Sequence, residues 1–297
     1  MKVSRLPDVS PGQRPRSVAI GTFDGLHLGH REVVRDSDTV LTFDPHPVSV
    51  VRPEAAPKLL TSFSVKRDLI EGLGVEELVV IPFDADFASR SAAAFVEDVL
   101  IARLGARRVS VGENFRFGHG AEGDPALLQS RSEFDTRVVP LVEVAGETVS
   151  SSHIRGLVAA GEVDQAAEFL GGPFLFEGEV VSGDRRGQDL GMPTANLVPD
   201  DALVCPGHGV YAAWAHGHPA AVNVGVRPTF ETGRGLLVEA HLIDFDGDLY
   251  GETLRIAFLE RMRGERRFES VDALVEQMHR DVAQAREICA RTSYRAA

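Results

Sequence analysis

Two stretches of this chain carry residues that could handle phosphate. In the first, Gly21 and Gly25 bracket a turn that ends on two histidines three residues apart, His27 and His30. Glycines there let backbone amides approach phosphate oxygens, and imidazoles can donate hydrogen bonds to charge developing on a phosphoryl group. The role needs donors, not a nucleophile. A zinc site is a poorer use of the pair, because no Cys or acidic third ligand stands at a familiar spacing. In the second stretch, Gly183, Gly187 and Gly191 punctuate a loop that runs into Met192-Pro193-Thr194-Ala195-Asn196. The Thr194 hydroxyl and the Asn196 amide oxygen are hard donors suited to Mg²⁺ shared with substrate phosphates. No Gly-Lys-Ser/Thr follows, so this is not a Walker loop, and on composition alone a β-hairpin with a proline bend accounts for it better.

Other positions have a chemical and a plain reading side by side. Asn114, between Gly112 and Gly118, could bond a base or phosphate edge, or satisfy its own turn. Ser150, Ser151 and Ser152 stand where a helix Ile154–Ala160 would begin, so hydroxyls, free amides and Arg155 could converge on an anion, or simply cap the helix. Glu239, an acid in a strand, reads by itself as the partner of a surface cation. Asp44 and His46 sit in a proline-stiffened turn.

The elements that must position these residues differ between the two halves. In the first, Ser17–Ile20, Thr39–Phe43, Leu78–Ile81, Val109–Val111 and Arg137–Leu141 are short apolar or β-branched runs that read as buried strands. Phe63–Leu73, Ala92–Leu104 and Asp124–Ser130 read as helices between them, which predicts a parallel sheet covered by helices. Ligands gather at the carboxyl ends of such strands, where the Gly21 turn lies. From Pro173 onward, Phe176–Val181, Val210–Ala215, Ala220–Val226, Leu237–Ile243 and Thr253–Phe258 recur between glycines and prolines, the texture of an antiparallel barrel or sandwich. Val271, Leu274, Val275, Met278, Val282, Ala285 and Ile288 then predict a closing amphipathic helix. The halves are expected to meet near Gly171-Gly172-Pro173, giving domains 1–172 and 173–297.

Composition limits the partners. A 297-residue chain has room for two cores, and a formal charge of −13 repels nucleic acid and anionic membrane surfaces. An anionic ligand must therefore be held by local donors. Two cysteines make neither a disulfide framework nor a zinc cluster, the N-terminal run lacks a signal-peptide core, and no run approaches the ~18 apolar residues of a span. A soluble, cytoplasmic protein is expected.

Thr22 to His30 resembles the histidine signature of the adenylyltransferases that share a fold with class I aminoacyl-tRNA synthetases. Thr42-Phe43-Asp44-Pro45-His46-Pro47, Gly112 to Gly118 and Ser150 to Arg155 narrow this to the FMN adenylyltransferase half of the bacterial bifunctional riboflavin kinase/FAD synthetase family. Leu190 to Asn196, Gly209 to Ala212, Asn223 to Phe230, Val238 to Asp244, Asp248 to Gly251 and Arg263 to Phe268 resemble, in order, the riboflavin kinase half. The resemblance implies a Rossmann-like nucleotidylyltransferase domain followed by a riboflavin-kinase-type antiparallel β-barrel with a C-terminal helix. It implies riboflavin, FMN and ATP as substrates, FMN and FAD as products, and Mg²⁺ as cofactor. Glu239, His27 and His30 become the catalytic residues. Gly21, Phe23, Asp24, Gly25, Asn114, Ser151, Arg155, Gly183, Gly187, Gly191, Pro193 and Asn196 become nucleotide or phosphate ligands, with Thr194 and Asn196 at the metal.

One departure stands out. Only eleven residues separate His30 from Thr42, about ten fewer than in relatives, which removes most of a helix. Burial in this half is expected to suffer. The departure opens a narrower reading, a riboflavin kinase whose first half no longer adenylylates, and beyond it a non-catalytic flavin or nucleotide sensor.

Overall fold

The computed structural model describes residues 1–11, 14–182, 192–227 and 235–292. Gly183, Gly187 and Gly191 lie outside the described residues. The chain divides into two compact units, Met1–Pro57 with Phe63–Ser151, and Lys58–Ser62 with Ser152–Ala297.

The first unit is built on a parallel sheet of β1 (Lys2–Arg5), β2 (Arg16–Ile20), β3 (Thr39–Asp44), β4 (Glu77–Pro82), β5 (Ala106–Gly112) and β6 (Asp135–Val139), ordered β1-β4-β3-β2-β5-β6. Covered on both faces, β2 to β4 are buried almost along their length rather than at alternate residues, with apolar middles and polar Arg16, Thr39 and Glu77 at their starts. The strand expected at Arg137–Leu141 ends instead at Val139, because Pro140 has no amide to give to the ladder. The edge strand β1 carried no apolar run and was not legible. Helices α1 (Leu28–Val34), α2 (Pro47–Val51), α3 (Phe63–Glu71), α4 (Ala85–Ala88), α5 (Ala92–Ala94), which continues as a π-helical stretch Phe95–Arg103, and α6 (Pro125–Gln129) fill the connections. From β2 the chain steps to β3 on one side and returns at β5 on the other. The crevice between the carboxyl ends of β2 and β5 is thus the topological switch point, the preferred ligand site of such sheets.

The expected loss of burial after His30 is not seen at the strands. Val18, Ala19, Val40 and Leu41 are inaccessible, and Phe23, Leu26, Val33, Val34, Ile70 and Val75 close over that face of the sheet. Two turns of α1 suffice because its end is pinned. Ser110 Oγ of β5 donates to the Val33 carbonyl at 2.7 Å, and Arg137 of β6 donates to the carbonyls of Glu32 and Arg35 at 3.1 and 3.0 Å. These bonds satisfy carbonyls that a helix end leaves unpaired.

After a two-stranded hairpin, β7 (Glu143–Val144) and β8 (Glu147–Thr148), come α7 (Ser151–Ala160) and α8 (Val163–Leu170). The second unit is then a closed antiparallel barrel of β9 (Phe174–Val181), β10 (Ala195–Leu197), β11 (Gly209–Ala215), β12 (His218–Arg227), β13 (Gly235–Leu242) and β14 (Thr253–Arg263), in the order β10-β13-β12-β11-β14-β9. Closure leaves no open edge. Val222, Val224, Val238, Ala240, Ile256 and Phe258 are wholly buried. The predicted closing helix is α9 (Val271–Arg291), whose Ala285 and Ile288 pack on Ala212 and Ile243. Its first turn departs from the expected apolar stripe. Val271 is exposed, and the helix is fixed further along by buried Asp281, which accepts both arms of the Arg263 guanidinium at 3.0 and 2.7 Å.

Gly118 tests how tightly the β5 loop is packed. Its φ is +76°, and a Cβ there would lie 2.5 Å from the Ala92 nitrogen, whereas Gly146 at φ +84° has open space around it. Gly118→Ala should therefore cost roughly 2–4 kcal/mol in denaturant unfolding, from strain plus overpacking, and Gly146→Ala only about 1–2 kcal/mol. Equal costs would contradict the packing described.

Candidate active sites

The first site is the turn that leaves β2. Its backbone is stitched to β3, with the Gly21 amide on the Leu41 carbonyl at 3.2 Å and the Thr42 hydroxyl on the Thr22 carbonyl at 3.2 Å. The Phe23 ring is turned into the core, 1% exposed, and a side chain at Gly21 would meet it at 3.0 Å. Phe23, expected among the nucleotide ligands, thus offers a ligand its backbone, while its ring supports the histidines, edge-on to His30 at 5.4 Å.

His27 caps α1, its Nδ1 accepting from the His30 amide at 3.2 Å. An accepting Nδ1 places the neutral ring's proton on Nε2, so His27 presents an N–H donor. His30 stacks on it, centroids 3.6 Å apart and planes 14° from parallel, with its own Nδ1 buried and unpartnered among the described residues. Burial, then the charges of His27 and Lys66, hold the His30 pKa well below the ordinary imidazole value. A His30 ring held neutral and stacked on His27 suits a site that receives negative charge without a proton being removed.

Asp24 and Gly25 are buried within the turn, and Ser151 Oγ donates to the Asp24 carbonyl at 3.0 Å. Arg155 lies one turn further along α7 and donates to Ser152 Oγ at 3.1 Å. Asn114 is exposed in the loop leaving β5, on the opposite lip of the switch-point crevice, with Gly112 small enough to leave its Oδ1 room. His46 follows its plain reading, its Nδ1 capping α2 at the Val48 amide.

The second site lies across three strands of the barrel. Asn196 of β10 stands directly opposite Glu239 of β13, and Glu239 directly opposite Asn223 of β12. Directly paired residues share a face, so the three side chains form one polar row on the surface opposite inward-facing Val238 and Ala240. Asn223 Nδ2 donates to Glu239 Oε2 at 3.2 Å, which fixes the carboxylate as an acceptor. Asn196 is 7% exposed and turns its Nδ2 to the Thr194 carbonyl at 3.4 Å, leaving the amide oxygen as the outward acceptor beside the half-buried Thr194. A hydroxyl and an amide oxygen are the hard donors that Mg²⁺ takes alongside phosphates. His241, two residues beyond Glu239 on the same face, donates from Nδ1 to the Pro193 carbonyl at 2.8 Å and so ties the Pro-Thr turn to β13.

Asn223 and His241 are functional candidates that sequence reasoning passed over. Both stood in quoted motifs, as polar residues inside apolar strands.

A Rossmann-like parallel sheet with a histidine pair at its switch point, followed by a closed barrel with a polar cross-strand row, defines a nucleotidylyltransferase unit joined to a flavokinase-type unit. Family models described as FAD synthetase and riboflavin kinase match residues 10–153 and 170–289. Relatives named bifunctional riboflavin kinase/FMN adenylyltransferase are 36% identical in Escherichia coli K12, over 91% of each chain, and 34% identical in Pseudomonas fluorescens, over 99% of each. A solved structure from Streptococcus pneumoniae, titled a macrolide-efflux protein, superposes with a TM-score of 0.85 at 30% identity, over 96% of this chain and 99% of that one. The chain belongs to the bifunctional riboflavin kinase/FMN adenylyltransferase family. No helix among the described residues is long and apolar enough to cross a membrane.

The lowered His30 pKa has a measurable consequence. The unfolded chain takes up a proton on this ring at about pH 6.5, before the folded one does, so stability is retained above that pH and lost as pH falls through it. The urea midpoint should drop more between pH 7.5 and 5.5 in the native chain than in His30→Gln. Parallel profiles would show that His30 is not held neutral.

Proposed function

We propose that the protein makes FAD from riboflavin in two steps, with residues 1–172 as the FMN adenylyltransferase and residues 173–297 as the riboflavin kinase. The observation that supports this reading is that one chain carries two separate polar clusters: the stacked His27–His30 pair at the switch point, and the Asn196–Glu239–Asn223 row on the barrel.

In the kinase step Glu239 takes the proton from the ribityl hydroxyl as that oxygen bonds to the γ-phosphorus of ATP and the bond to the β–γ bridging oxygen breaks, giving FMN and ADP. Asn223 keeps the carboxylate aimed. Thr194 and Asn196 would hold Mg²⁺, which supplies neutralisation of the phosphate charge. Pro193 shapes this turn, and the loop amides at Gly183, Gly187 and Gly191 are assigned to the nucleotide phosphates.

In the second step an oxygen of the FMN phosphate, already anionic, bonds to the α-phosphorus of a second ATP and pyrophosphate leaves. No base is needed. His27 and His30 donate to the α-phosphate oxygens as charge builds, and the amides around Gly21, Phe23, Asp24 and Gly25 allow close approach. Ser151 and Arg155 are assigned to the β- and γ-phosphates, and Asn114 to the nucleotide at the other lip. The capped end of α1 supports activity here, because the short segment after His30 leaves the histidines braced. Two unpaired cysteines, with Cys289 buried, support a cytoplasmic location.

Chromatography of products from riboflavin, ATP and Mg²⁺ tests the reading. FMN followed by FAD is expected; FMN alone would mean an impaired first unit, and neither product a binding protein. Glu239→Gln should lower FMN formation by ~10²–10⁴ and leave FAD formation from supplied FMN intact. His30→Ala should do the reverse. A single substitution that abolishes both would sink the two-site assignment.

A further inference from the structure

The turn that carries the histidines is bent in a way that side chains resist. Phe23, Gly25 and Leu26 have φ of +50°, +84° and +39°, and of these only Gly25 takes the left-handed region without steric cost. Packing accounts for Phe23, whose ring fills the core beneath Gly21. Leu26 stands immediately before His27, so its peptide plane sets the direction in which the imidazole leaves the chain. The Leu26 amide closes the turn on the Phe23 carbonyl at 3.3 Å. Its carbonyl is taken by Arg31, which reaches back from within α1 and donates from Nε at 3.1 Å. Leu26 is 1% exposed, and no other bond to this oxygen is present among the described residues, so losing Arg31 would leave a buried carbonyl without a donor. Arg31 itself is half-buried and has no carboxylate paired with it among the described residues; burial lowers its pKa. A guanidinium that gives up hydration without gaining a counter-charge is compensated by the bond it makes.

We propose that Arg31 is a positioning residue for adenylyl transfer: its Nε–H holds the Leu26 carbonyl, and through it the His27 backbone, in the orientation from which the imidazole meets the α-phosphate. The inference rests on the adenylyltransferase reading above and adds to it a residue that acts without touching substrate. The chain of contacts is short. Leu26 leads by one peptide bond to His27, His27 Nδ1 accepts from the His30 amide at 3.2 Å, and His30 stacks on His27 with centroids 3.6 Å apart. A rotation of the Leu26–His27 peptide therefore moves both rings. Ser110 and Arg137 hold α1 from its last turn, away from that peptide, so they do not substitute for Arg31. The duty belongs to the Nε–H rather than to the charge, because the acceptor is a neutral carbonyl. That separates Arg31 from a phosphate-binding arginine, whose worth would lie in its charge and its planar fork.

The test uses the full chain and substitutions that separate the donor from the charge. Gln places a side-chain N–H the same number of bonds from Cα as the arginine Nε but carries no charge; Lys keeps the charge one atom farther out; Met has neither. FAD formation from FMN and ATP is measured for native protein, Arg31→Met, Arg31→Gln and Arg31→Lys, with FMN formation from riboflavin as the internal control and thermal unfolding as the check on folding. Arg31→Met should lower kcat for FAD formation by roughly 10–10²-fold, the scale on which a small misplacement of reacting groups acts, with KM for FMN and for ATP close to native. Arg31→Gln should recover most of that kcat and Arg31→Lys less, while FMN formation stays native in all three. A folded Arg31→Met with native kcat overturns the proposal. A loss confined to KM, or rescue by Lys above Gln, also overturns it, since either would mean that the arginine meets substrate with its charge. Should Arg31→Met not fold, the Gln and Lys variants are compared by the same criteria. If native protein makes no FAD from FMN, the adenylyltransferase reading fails; if native protein makes FAD and Arg31→Met matches it, only the role of Arg31 fails.

Discussion

A chain with a net charge of −13 that handles triphosphates cannot rely on long-range attraction. Every negative charge it binds has to be met at short range, and the two units meet that constraint differently. On the proposed reading the first uses fixed donors: strand-end amides beside glycines, and imidazole N–H groups oriented by stacking and a cap hydrogen bond. In the second, the carboxylate and amide oxygens of the cross-strand row are acceptors, so phosphate charge has to be met by a hard cation rather than by the protein. Parallel and antiparallel sheets lend themselves to these two solutions. Parallel strands all end at one edge, where amides converge; an antiparallel pair sets side chains directly opposite one another, so a polar row can be built from three strands.

The precision of the first site depends on the Phe23 ring. It fills the core side of the turn against the bare Gly21 backbone and meets His30 edge-on, so the position of the histidine pair is set from beneath by packing. From the far side, Ser110 and Arg137 hold the end of α1. The short connection after His30 is thus tolerated: what the helix loses in length it recovers in capped carbonyls and in the apolar cover given by Leu26, Val33 and Val34.

Much of this was legible in residue order. Buried β-branched runs alternating with helical segments gave away the parallel sheet, and glycine and proline spacing gave away the barrel, because both follow from local backbone preferences. The Thr22–His30 motif stood out by residue type and spacing, and Glu239 only by the family that its segment resembles. Other features were not, and the reasons are physical. Phe23 looks like a ligand contact when only its place in a motif is known; which way its ring turns depends on the sheet beneath it. Asn223 and Glu239 are sixteen residues apart and meet only through strand register. Arg263 and Asp281 look like surface charges until they are found paired across a strand and a helix, with Asp281 buried.

The central claim is that two chemically different phosphate transfers occur at separate sites of one chain. Their by-products differ, so ³¹P NMR of the reaction reads the claim directly. Starting from riboflavin, each FAD formed should be accompanied by one ADP and one pyrophosphate; starting from FMN, by pyrophosphate alone. ADP released in step with FAD when FMN is the starting flavin, or FAD formed without pyrophosphate, would contradict it.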